Sequence, residues 1–97
     1  MHKRSIKMPT VKFTNALKRF FPKLKDIPAN GNSLPEIFKE IETNYPGLSS
    51  YVLDETGSLR RHVNIFIDGN MINDRNKLSD TFSSNSEIYI IQALSGG

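Results

Sequence analysis

The stretch Glu87-Ile88-Tyr89-Ile90-Ile91-Gln92-Ala93-Leu94 is largely apolar on both of its alternating faces, carries one charge at its first residue, and holds no glycine or proline. Side chains alternate across a strand, so a segment apolar on both sides needs cover on both, and it reads as the central strand of a sheet. Ser95-Gly96-Gly97 follows it directly. A rigid strand leading into glycines is the feature around which the rest of the chain is read.

Upstream, residues 73–85 are polar apart from Leu78 and Phe82, and are expected as a loop with at most a short helical turn. Before them His62 to Asp68 alternates, with Val63, Ile65 and Ile67 on one face and Asn64 and Phe66 on the other. Asp68-Gly69-Asn70 after an alternating strand is a hairpin signal, and Met71 and Ile72 begin the return strand. Asp54-Glu55-Thr56-Gly57 lies in a loop, where adjacent acids are turn formers rather than an acid pair for chemistry.

Further back, Leu34, Ile37, Phe38, Ile41 and Tyr45 form one stripe at helical spacing. Ser33-Leu34-Pro35-Glu36 in front of it has the form of a capping box, Asn30-Gly31-Asn32 is a turn, and Pro46-Gly47 ends the helix. Ile6 to Phe13 is expected as a strand with Pro9 near its edge or start. A second strand is expected within Ala16 to Ile27, around Leu17, Phe20, Phe21 and Leu24 and interrupted by Pro22. The order is thus strand, strand, helix, two strands, polar connection, strand. It matches an α+β arrangement of the β-grasp (ubiquitin-like) type: a mixed sheet of four to five strands covered by one main helix, with a C-terminal Gly-Gly tail. The 97 residues fit one such domain, 1–97, with 1–5 as a flexible basic arm and 95–97 as a flexible tail.

The absence of cysteine removes disulfides, thiolate nucleophiles and Cys-ligated zinc. His2 and His62 are the only histidines, and no carboxylate spacing makes either a metal ligand. No apolar run approaches the roughly 20 residues that span a bilayer, and the basic start lacks the apolar stretch of a secretory signal, so no membrane partner and a cytoplasmic location are expected. Residues 1–25 hold eight Lys and Arg and no acid, whereas the remainder holds five against all ten acids. That stretch could meet nucleic acid or an acidic protein, but without an aromatic stacking motif it reads better as solvated surface.

Ser95-Gly96-Gly97 after a rigid strand makes the carboxylate of Gly97 the candidate working group, and the absence of cysteine and of a recognisable triad agrees with a chain that needs no catalytic residue. Glycine has no Cβ, so Ser95-Gly96-Gly97 can thread a narrow channel and expose its carboxyl carbon. A carboxylate is a poor electrophile and needs activation by an enzyme that supplies ATP; as an acyl adenylate it could accept sulfur and become a thiocarboxylate. The chain itself would then be no enzyme and hold no bound cofactor.

From Val11 to Gly97 the chain resembles the ubiquitin-related sulfur-carrier family. The resemblance rests on Phe13-Thr14-Asn15-Ala16-Leu17-Lys18-Arg19, on Asn44-Tyr45-Pro46-Gly47-Leu48, on Leu59-Arg60-Arg61-His62-Val63-Asn64-Ile65-Phe66-Ile67, and on Ile90-Ile91-Gln92-Ala93-Leu94-Ser95-Gly96-Gly97. The second and third stretches are most similar to the branch that serves cysteine synthesis; other branches serve molybdopterin and thiamine. The resemblance implies that Gly97 is adenylated and thiocarboxylated, that Gly96 threads into a partner's active site, and that the partners are an E1-like adenylating enzyme and a sulfur-accepting synthase. Gln92 departs from the family, which usually carries proline before the tail, and the basic segment Lys18 to Lys25 has no family role.

Phe66, Tyr89, Ile91 and Leu94 are the candidate docking residues: Ile88 and Ile90 would face the helix, leaving Tyr89 and Ile91 to join Phe66 on the open face. The alternative is that they are core or scattered surface. Two other functions stay open, a protein modifier joined through Gly97 to a target lysine, and a passive β-grasp binding module.

Overall fold

A computed structural model describes residues 8–92. Eight elements follow one another: β1 (Thr10–Phe13), α1 (Asn15–Phe20), β2 (Ile27–Pro28), α2 (Leu34–Asn44), α3 (Leu48–Val52), β3 (Val63–Ile67), β4 (Asn70–Met71) and β5 (Glu87–Gln92). The strands form one sheet in the order β2-β1-β5-β3-β4. β5 is central, parallel to β1 and antiparallel to β3, but only one of its two apolar faces is covered by a helix.

The register sorts the strands into two faces. Val11 and Phe13 of β1 stand beside Ile88 and Ile90 of β5, and Ile90 stands beside Ile65 of β3. These residues, with Val63, are buried in one cluster with Leu34, Ile37, Phe38 and Ile41, the stripe of α2. Ser33 caps that helix by accepting from the Glu36 N–H at 3.3 Å, while the Glu36 carboxylate accepts from Asn32 rather than from Ser33 itself, at 2.7 Å. The capping box is thus present with its return bond shifted one residue outward. Gly31 precedes it because a Cβ there would lie 2.8 Å from the Glu36 Cβ and 2.9 Å from the Ile37 nitrogen.

Two expectations need correction. The strand expected within Ala16 to Ile27 is instead the helix α1, a loop, and the two-residue strand β2. Asn15-Ala16-Leu17-Lys18-Arg19-Phe20 includes four strong helix formers, it buries Ala16 and Leu17 on the inward side, and Pro22 stops it by holding Phe21 out of the helical region. Only Ile27 and Pro28 reach β1, and a proline is tolerated there because β2 is an edge. The second is α3, which stands between Pro46-Gly47 and the Asp54 loop where no element was expected. Gly47, at φ 97°, turns the chain after α2, and Glu42 of α2 accepts from the Gly47 and Ser49 N–H groups at 2.9 and 3.2 Å. A carboxylate one helix earlier thus satisfies donors at the start of the next.

The hairpin follows the sequence pattern. Asp68 and Gly69 have φ of 52° and 86°, the two left-handed residues of a type I′ turn, and they set Phe66 opposite Met71. The Asp68 carboxylate also accepts from the Ser86 hydroxyl at 2.8 Å and the Glu87 N–H at 2.9 Å, anchoring the start of β5. Residues 73–85 form no helix or strand but bury Leu78. Asp74 holds the bend, accepting from the N–H groups of Asn76, Lys77 and Ser79 and from the Ser79 hydroxyl.

Candidate functional site

β5 brings the chain to Gln92 at one end of the sheet, and because β1 runs parallel to it, the end of β1 lies at that same end. Thr14, the residue after β1, donates its N–H to the Ile90 carbonyl at 3.3 Å, and its hydroxyl accepts from the Gln92 N–H at 3.4 Å. The last described turn of the chain is therefore held by the segment that opens α1. Gly97, Gly96, Ser95 and Leu94, named from the sequence as the reactive and docking positions of the tail, lie outside the described residues, as do residues 1–7 with His2 and the expected arm.

Gln92 stands opposite Val63 and so belongs to the covered side of the sheet. Its Nε2 donates to the Tyr51 hydroxyl of α3 at 3.2 Å, while its Oε1 is buried with no partner among the described residues. Tyr51 in turn packs on the two aromatics at the C-terminal end of α1: its ring centroid is 5.3 Å from that of Phe20 and 5.9 Å from that of Phe21. A chain of contacts from Gln92 through Tyr51 to Phe20 thus occupies the place where a proline would stiffen the chain by its ring alone.

The open face of the sheet is a second surface that runs to the same end. Phe66 and Tyr89 are direct cross-strand partners, Ile91 stands opposite Asn64, and Met71 stands opposite Phe66 on its other side. Tyr89 is 39% exposed and Met71 53%, with Phe66 and Ile91 half-buried. The structure therefore brings together three of the four expected docking residues, Phe66, Tyr89 and Ile91. Lys12, beside Tyr89 on β1, closes the row with an ion pair to Glu87 at 3.1 Å.

Met71 was missed as a member of this row, although the two-residue Asp68-Gly69 turn places it opposite Phe66 and could have supplied it. Phe20, Tyr51 and Gln92 were missed as a cluster because α1 and α3 have no periodic signal long enough to place them, although the alternation that turns Ile88 and Ile90 inward also turns Gln92 inward.

Asp54 accepts from Thr56 and Ser58 within its turn, and the Thr56 hydroxyl, more than any other contact, holds its carboxyl below the usual value. His62 is exposed. Among the described residues no group of three or more His, Cys, Asp or Glu could hold a metal ion, and no helix is long and apolar enough to cross a membrane.

The model of the ThiS family matches residues 11–97. The sulfur carrier protein CysO of Mycobacterium tuberculosis is 28% identical over 75 residues, which cover 75% of this chain and 81% of that protein. Among solved structures, a chain of the Amycolatopsis orientalis BexX/CysO complex superposes with a TM-score of 0.75 at 21% identity, covering 91% of this chain and 98% of that one. Small archaeal modifier protein 1 of Methanosarcina acetivorans superposes with a TM-score of 0.73 at 22% identity, covering 97% and 100%. At such identities the structures speak to the fold alone, and that fold is the β-grasp.

Proposed function

Because the chain belongs to the ThiS family, we propose that it is a sulfur carrier, a protein substrate rather than a catalyst, whose working group is the carboxylate of Gly97. The observation that supports this most is the central strand β5, tied on both sides by β1 and β3, which hands the chain over at Gln92 five residues before Gly97. A tail of five residues reaches at most about 17 Å from that anchor. It can therefore enter an active site while the body stays docked outside.

An E1-like adenylating enzyme supplies ATP, and the Gly97 carboxylate displaces pyrophosphate from it to give an acyl adenylate. Sulfide attacks the carbonyl carbon, the bond to AMP breaks, and a thiocarboxylate remains. A synthase then takes the sulfur. The chain contributes no nucleophile, in keeping with its lack of cysteine. Its own residues bind and orient: Gly96 and Ser95 thread the channel, while Phe66, Tyr89, Ile91 and Leu94 dock the body through the open face, together with Met71. Aromatic and apolar residues at the centre of a contact carry most of its energy. The reaction is placed in the cytoplasm, and the likeness to CysO favours a synthase that makes cysteine.

The test is the intact mass of the chain after incubation with ATP, sulfide and the adenylating enzyme of its own organism, beside a chain lacking Gly96-Gly97. Replacement of one oxygen by sulfur in the full-length chain alone is the expected result. Linkage of Gly97 to target lysines without sulfur gain would instead make it a modifier, and neither outcome, with the enzyme active on another carrier, would make it a binding module.

A further inference from the structure

Phe20 is the most exposed of the large apolar residues described, at 59%. It closes α1, whose start is held against the end of β5 by the bonds of Thr14 to Ile90 and Gln92. With Phe21, Pro22, Lys23, Asn44, Tyr45 and Pro46 it lines a groove of about 350 Å³. Its ring rests on Tyr51, and the Tyr51 hydroxyl is bonded to Gln92, so the aromatic step is built directly onto the last described residue before the tail.

Lys23 lines this groove, and Arg19 adjoins Phe20 in α1. Lys18 pairs with Asp26 at 3.7 Å, whereas Arg19 and Lys23 are exposed and have no acidic partner among the described residues. An apolar ring bordered by uncompensated positive charge is complementary to an apolar pocket bordered by carboxylates. The tether says who brings that pocket. Gly97 lies five residues from Gln92, so a protein that holds its carboxylate has its active site within about 17 Å of Gln92, to which this cluster is bonded through Tyr51. The free carboxylate is the form that meets the adenylating step.

We propose that Phe20, seated on Tyr51 and flanked by Arg19 and Lys23, is a second docking surface, distinct from the open face of the sheet, that inserts into an acid-rimmed apolar pocket of the adenylating enzyme. The proposal rests on the carrier reading above. It gives the basic segment Lys18 to Lys25 a role in recognition, and it explains why Gln92 bonds to Tyr51: that bond sets the tail and the aromatic step in fixed relation.

The experiment measures carrier-dependent ATP–pyrophosphate exchange by the adenylating enzyme for the wild-type chain, Phe20→Ser, Lys23→Glu and, as a control with the same charge change on another groove, Lys39→Glu. Melting curves verify folding. Phe20→Ser is expected to raise KM for the carrier roughly tenfold or more with kcat little changed, as loss of an aromatic anchor does. Lys23→Glu is expected to raise KM severalfold and to weaken its dependence on salt, with Lys39→Glu near wild type. Unchanged KM in folded Phe20→Ser and Lys23→Glu, with the wild type active, overturns the docking surface alone. No exchange with the wild-type chain overturns the carrier reading and this surface with it.

Discussion

The two faces of the β5 strand are made of nearly the same material and have opposite fates. Ile88 and Ile90 are buried against α2, while Tyr89 and Ile91, one residue out of phase, share the open face with Phe66 and Met71. Hydrophobicity does not separate them; cover does. What the covered residues contribute is the fold, since removing them from water is the main favourable term in folding. What the open residues hold is apolar surface still in contact with water, which a partner can cover.

The sharpest way to break this distinction is to truncate one residue on each side. Ile65→Ala on the covered face, at a site with no exposure, is expected to cost about 2–5 kcal/mol, read as a fall in the urea midpoint. A smaller cost would mean that the core relaxes around the cavity and that α2 is a looser lid than its packing indicates. On the open face, replacing Phe66 and Ile91 together by glutamate is expected to weaken binding to the adenylating enzyme by roughly tenfold to a hundredfold, with less loss of stability than Ile65→Ala. Equal binding by that folded double variant would make the open face ordinary surface.

The smallest effect concerns the loop that leads into β5. The Ser79 hydroxyl, followed by the Lys77 N–H, holds the Asp74 carboxyl down to about 2, against an ordinary 3.8. The Glu87 N–H, followed by the Ser86 hydroxyl, lowers Asp68 in the same direction. A carboxyl lowered in the folded state binds its proton more readily in the unfolded state, so its contribution is present above 3.8 and is lost as pH falls towards about 2. Asp74→Asn is expected to reduce stability slightly at neutral pH and to flatten its fall across that acid window, followed by urea titration at several pH values. An unaltered slope would show that the half-buried Asp74 contributes nothing to the acid limb.

How much of this was legible follows from the length of each signal. α2 and the β3–β4 hairpin carry whole periods of their pattern and a defined turn, and both formed where their residues indicated. Phe66, Tyr89 and Ile91 were legible as neighbours for the same reason, since alternation on two antiparallel strands fixes which side chains share a face. α1 was not, because Phe20, Phe21 and Pro22 resemble a broken strand and six residues give less than two helical turns. α3 was hidden by its five residues, and it depends on Glu42 from a different helix. The aromatic cluster at Gln92 joins residues from three separate elements, a juxtaposition that only the tertiary structure supplies.

The position of β5 also bears on time. Its neighbours β1 and β3 are made first, and β5 is placed between them, pairing in parallel with a strand whose residues precede it by 77 positions. Such distant pairing is the slow part of folding, because a long loop must close before any contact rewards it. Until it closes, the chain beyond Gln92 hangs from an unfinished sheet, and Thr14 and Tyr51 have nothing to hold. Maturation of the body and display of its terminus are consequently one event, and under the carrier reading a chain still folding would offer its partner a tail without an address.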